Sequence, residues 1–84
     1  MHVEFLGVSR ERAGVDELDI QADTLGQLVG TLAARMPGLA ELINVDRLHP
    51  SLAASLNGDR FISEPSTPLA NEDRVLILSA DVGG

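Results

Sequence analysis

One helical stripe governs what this chain can become. Leu25, Leu28, Val29, Leu32, Ala33 and Met36 recur at i, i+3, i+4 and i+7, which puts them on a single face of a helix. Thr24 and Gln27 fit a capping box at its start: the hydroxyl meets the third amide and the side-chain amide returns to the cap. Pro37-Gly38 ends the run. The other clear apolar segments alternate with a period of two. In a chain of 84 residues, one long amphipathic helix must bury its stripe against those alternating segments. The expected architecture is therefore α+β, with one main helix across one face of a small mixed sheet of four to five strands.

The strands follow from the alternation. Residues 2–8 read as the first, with Val3 and Phe5 pointing one way and His2, Glu4 and Leu6 the other. Arg10-Glu11-Arg12-Ala13-Gly14 reads as a polar connector closed by a glycine. Residues 15–21 alternate again, with Leu18 and Ile20 inward and Glu17, Asp19 and Gln21 outward, so the two segments suggest an antiparallel hairpin. After the helix, Leu39 to Ile43 predicts another helical turn, and residues 44–50 a surface loop holding Arg47 and His49-Pro50. Leu52, Ala54 and Leu56 form a third strand. Asn57-Gly58 turns it, because both residues tolerate positive φ, and Phe61-Ile62 is a short return strand. Leu69 is a buried anchor after the Glu64-Pro65-Ser66-Thr67-Pro68 loop. Asn71-Glu72-Asp73 turns the chain into a last strand from Arg74 to Ser79, with Val75 and Ile77 facing the helix.

That pattern leaves Leu6, Leu76 and Leu78 on the face the helix does not cover. Two outcomes are open. Either the segment 37–50 folds over them, or they form an apolar patch rimmed by acid, the usual mark of an interface. Residues 1–79 are expected to be the folded domain and residues 80–84 a flexible tail ending in Gly83-Gly84. Neither glycine has a Cβ, so such a tail can enter a narrow channel fully extended and present its carboxylate with nothing beside it.

Composition narrows the chemistry. Net charge is −7, which repels phosphate backbones and points to a basic partner rather than nucleic acid. There is no cysteine, so disulfides, thiolate metal sites and cysteine nucleophiles are excluded. All six cations are arginines, so no lysine of this chain can accept an isopeptide bond. The start of the sequence has neither the basic nor the apolar region of a signal peptide, and no run approaches transmembrane length; a cytoplasmic protein is expected. His2 and His49 are the only histidines, and no catalytic triad order, phosphate loop or metal spacing is visible. Glu72-Asp73 reads as turn chemistry rather than as a catalytic carboxylate pair.

Several features, taken in order, resemble the ubiquitin-like β-grasp sulfur carriers of the MoaD/ThiS family. They are Phe5, Arg10-Glu11 and Ala13-Gly14, the capped leucine helix, Leu56-Asn57-Gly58, Pro68-Leu69, Asp73-Arg74-Val75 and the terminal Gly83-Gly84. The resemblance spans nearly the whole chain and is strongest to the branch of the molybdopterin synthase small subunit. The tail departs from that branch, which usually carries a Pro-Pro pair where this chain has Ser79-Ala80-Asp81-Val82.

The resemblance implies a β-grasp fold and a carrier chemistry. An E1-like adenylyltransferase would use ATP to adenylate the Gly84 carboxylate, and a sulfur donor protein would convert it to a thiocarboxylate. The carrier would bind no cofactor itself. Gly84 would supply the reacting carbonyl and Gly83 the thin neck. Leu6, Leu76, Leu78 and Val82 would meet the partners, among them a sulfur-accepting enzyme such as a molybdopterin synthase large subunit. Two readings compete: a β-grasp interaction module without chemistry, and a ubiquitin-like modifier joined to lysines of its targets.

Overall fold

The computed structural model describes residues 1–80. Five strands form one mixed sheet in the order β2-β1-β7-β5-β6. They are β1 (His2–Phe5), β2 (Glu17–Asp19), β5 (Leu52–Leu56), β6 (Arg60–Ile62) and β7 (Arg74–Ser79). β1 and β7 run parallel at the centre; β1–β2, β5–β7 and β5–β6 are antiparallel. The first and last strands of the described chain are thus neighbours. Three helices accompany them among the described residues, α1 (Val8–Ala13), α2 (Leu25–Arg35) and α3 (Pro37–Ala40). A separate hairpin joins β3 (Ile43–Asn44) to β4 (Arg47–Leu48). No helix among the described residues is long and apolar enough to cross a membrane.

The leucine stripe buries as its spacing dictates. Leu25, Leu28, Val29 and Leu32 pack against Val3, Phe5, Ala54, Leu56, Val75 and Ile77, and nearly all of these are shielded from water. At about 1.5–3 kcal/mol for each fully buried large aliphatic side chain, this one interface dominates the core. Thr24 Oγ1 accepts from the Gln27 amide at 3.2 Å, as a cap should. The Gln27 side chain reaches one residue further than expected and accepts from the Asp23 amide at 2.9 Å.

Three segments differ from the sequence expectation. The first strand ends at Phe5, and the supposed connector is helix α1, closed by Gly14 in the left-handed region. With six residues and only Ser9 buried, α1 carries too short a stripe to be legible. Proline does not merely stop α2; it opens α3 at its first position, and Leu39 of that turn is buried. Residues 43–48 pair as the β3–β4 hairpin, where Val45 takes a positive φ of 62° that its β-branched side chain does not advertise.

Segment 37–48 settles the question of the uncovered face. α3 packs on α1 and α2, and the β3–β4 hairpin lies along α2. The segment therefore extends the helical layer and does not fold over Leu6, Leu76 and Leu78.

Candidate functional site

The strand order brings the end of β7 to the middle of the sheet. Ser79 pairs with Leu52 of β5 on one side, and on the other Ile77 O accepts from the Leu6 amide at 3.0 Å. The Ala80 amide still donates to Ser51 O at 2.8 Å. Ser9, fully buried in α1, pins this end. Its hydroxyl lies 2.7 Å from Ile77 O and 2.9 Å from Leu6 O, and accepts from the Leu6 amide at 3.1 Å. One side chain thereby ties β1 to β7 at the point where the chain leaves the sheet. Ser9 was not singled out by the sequence, because one serine in a polar run carries no periodic signal.

The sheet face away from α2 follows from the registers, since paired residues share a face. One row across it reads Glu17, Glu4, Leu76, Ser55, Phe61. The next reads Asp19, His2, Arg74. Beyond them Leu78 pairs with Ala53, and Leu6 continues the alternation of β1 beside Leu78. Leu6 is 46 % exposed and Phe61 70 % exposed, while Leu76 and Leu78 are half-buried. The three leucines expected on this face are thus brought together beside the exit of β7. Phe61 joins their face from the edge strand. The sequence showed Phe61 only as part of a return strand; its face becomes fixed once Ser55 is known to be its partner.

The acid on this face lies to one side. Glu4, Glu17 and Asp19 surround His2 on β1 and β2, and Arg74 Nη1 stands 3.8 Å from Glu4 Oε1. The leucines and Phe61 occupy the other side. A partner docking here meets an apolar centre with an acidic flank, the complement of a basic surface.

The Glu72-Asp73 turn holds the start of β7. Asp73 accepts from Asn57 Nδ2 at 3.0 Å and from the Ala70 amide at 2.8 Å, and Asn57 Oδ1 accepts from the Arg74 amide at 2.8 Å. The Asn57 hydrogen bond, then that of Ala70, holds the Asp73 carboxyl below the usual aspartate range. Asn57 and Gly58 both take positive φ, as the turn signal required. On the helical side, a cavity of about 270 Å³ lies between α2, the β3–β4 hairpin and β5–β6; its titratable members are Asp46 and Arg47. Gly84, Gly83 and Val82, the remaining expected site residues, lie outside the described residues.

A five-strand mixed sheet with parallel central strands, one long helix across it and an apolar patch beside the end of the last strand defines a ubiquitin-like β-grasp protein. The ThiS family model matches residues 3–84, and the chain belongs to that family. Among solved structures it is similar to the Haloferax volcanii HVO 2177 protein, with 26 % identity and a TM-score of 0.75 over 99 % of this chain and 84 % of that one. It is similar to small archaeal modifier protein 1 (SAMP1) from Methanosarcina acetivorans, with 22 % identity and a TM-score of 0.78 over 99 % and 94 % of the two chains. A chain of the Amycolatopsis orientalis BexX/CysO complex matches at 20 % identity and a TM-score of 0.78, over 99 % and 98 %. The last two likenesses are of fold. No curated protein matches. Family and fold together mark the chain as a ubiquitin-like β-grasp member of the ThiS family.

Proposed function

We propose that this chain is a sulfur carrier whose working atom is the C-terminal carbonyl of Gly84. The observation that supports it most is the family match, which runs to residue 84 and so takes in the terminal diglycine. A carboxylate is a poor electrophile, ionised at neutral pH with a reference pKa near 3.5. Adenylation by an E1-like partner joins one carboxylate oxygen to the AMP of ATP with release of pyrophosphate, which makes that oxygen part of a good leaving group. Attack by sulfide-level sulfur from a donor then forms the C–S bond, breaks the C–O bond to AMP, which leaves, and gives the thiocarboxylate, a soft nucleophile. The carrier contributes no acid or base. It contributes position: docking through Leu6, Leu76 and Leu78 turns delivery of sulfur into a reaction between held groups.

The acceptor is a cofactor precursor of the molybdopterin kind or another sulfur-containing metabolite. The word modifier in the name of the Methanosarcina neighbour favours a second reading, in which the same activated terminus is joined to amines of target proteins. The two share the activation and differ in the product. Incubation with ATP, a sulfur donor and the cognate activating enzyme, followed by intact-mass measurement, should show sulfur replacing one oxygen at Gly84. Conjugates of higher mass in its place would support the modifier reading. An unchanged mass, with an activating enzyme that releases pyrophosphate on this chain, would overturn the carrier reading.

A further inference from the structure

His2 has no part in the carrier chemistry, yet the fold surrounds it with metal-ligating groups. His2 and Glu4 are two residues apart on β1 and share a face; Glu17 pairs with Glu4 and Asp19 with His2 across the β1–β2 ladder. Glu4 Oε1 lies 3.2 Å and Glu17 Oε2 3.7 Å from His2 Nε2, and the three donor atoms fall within 4.8 Å of one another. Donors bound at about 2.0–2.2 Å around a tetrahedral zinc ion stand roughly 3.3–3.6 Å apart. The two distances from His2 Nε2 bracket that spacing.

Two further observations bear on the occupant. Like charges directly opposite on a ladder are unfavourable, and Glu4 and Glu17 are such a pair. Arg74 is the guanidinium at this corner, 3.8 Å from Glu4, against three carboxylates. The carboxylates at this corner outnumber the guanidinium by two, a surplus of negative charge that favours a bound cation. The second observation concerns the other ring nitrogen. Asp19 Oδ1 lies 4.0 Å from His2 Nδ1. At that distance no hydrogen bond forms, so Asp19 adds negative charge to the corner without holding the ring.

We propose that His2, Glu4 and Glu17 form a binding site for a divalent cation of the zinc class. One imidazole nitrogen and two carboxylate oxygens suit zinc better than magnesium or calcium, which take all-oxygen sets. The ion bridges β1 to the edge strand β2. Its remaining coordination position is available to water or to a donor from whatever docks on the same face of the sheet.

The test uses the untagged full chain and zinc chloride alone at near-neutral pH, with calorimetry for affinity and NMR of both histidine rings for location. One ion should bind per chain, with the His2 ring signals moving and those of His49 still. H2A and E17Q should each weaken binding by about tenfold or more. D19N, which removes a neighbouring charge and no ligand, should weaken it less than either. H49A should change nothing. Each variant's NMR spectrum shows independently whether it is folded. Binding to H2A as tight as to the parent, or shifts at His49 in place of His2, would overturn the site. So would an absence of zinc binding to the folded parent chain.

Discussion

Gly38→Ala pits two effects of opposite sign against each other. Gly38 lies in α3 and has no positive φ, so its backbone suits alanine. Helix propensity alone favours the change by about 0.5–1 kcal/mol. Packing opposes it. A Cβ at Gly38 would run into the carbonyl oxygen of Arg12, at the end of α1. That neighbour is backbone, not the movable tip of a side chain, so α3 must lift away from α1. Lifting it loosens Leu39, which is 1 % exposed, and stretches the exposed Arg12–Glu41 pair from 3.1 Å. The ion pair adds little, about 0–1 kcal/mol. Overpacking of this kind costs about 1–3 kcal/mol. The steric cost outweighs the helical gain, and the variant should be destabilised by about 1–2 kcal/mol. At roughly 4–8 °C per kcal/mol for a domain this small, Tm should fall by some 5–15 °C in a circular-dichroism melt. A variant as stable as the parent, or more stable, would show that propensity governs here and that the contact of α3 with α1 is not tight.

Other outcomes follow from the same structure. Ser9→Ala removes the hydroxyl bonds to Leu6 and Ile77 O but leaves the direct bond from the Leu6 amide to Ile77 O; it should cost about 1 kcal/mol in urea unfolding and speed hydrogen exchange at Leu6 first. Asp73 titrates below its unfolded value, so the stability it contributes is present above the unfolded pKa and is lost as pH falls through the lower folded one. Melts at and above about pH 4 should therefore show the parent more stable than Asp73→Asn, with the difference shrinking as the pH falls below that value. Leu76→Glu sets a third carboxylate in the row of Glu17 and Glu4 and removes the centre of the apolar patch. Its affinity for the activating enzyme should fall at least tenfold, about 1.4 kcal/mol, in a direct binding titration, while the NMR spectrum stays that of a folded domain.

How far the fold could be read from the chain depended on the length of each periodic signal. Leu25 to Leu32 repeat over two turns, and α2 emerged with the predicted cap and buried face. Leu52, Ala54 and Leu56 alternate over a whole strand, and β5 emerged at the same place. Val75 and Ile77 are fully buried toward the helix, as their spacing required. The short elements were not legible. α1 has one buried residue, whose value lies in hydrogen bonds to Leu6 and Ile77, groups distant in sequence or polar in kind. The β3–β4 hairpin pairs two residues with two, too few for alternation to be recognised. Asn57 was legible as a turn residue, but its hold on Asp73 and the Arg74 amide depends on a strand sixteen residues away.

The working surface divides along the same line. Leu6, Leu76 and Leu78 could be assigned to one face because each strand's own alternation decides which way its side chains point. Phe61 could not, since the face of a three-residue edge strand is set by its partner, Ser55. The corner at His2 was still less visible. In sequence His2 and Glu17 are remote, and only the β1–β2 register, pairing Glu4 with Glu17 and His2 with Asp19, makes them neighbours. A hairpin slipped by one residue would send Glu17 and Asp19 to the opposite face, because side chains alternate with a period of two. The burial of Ile20 and the Met1–Ile20 hydrogen bond at 2.8 Å resist that slip. The core that fixes the hairpin therefore also fixes the cluster, and any change that frees Ile20 should loosen both together.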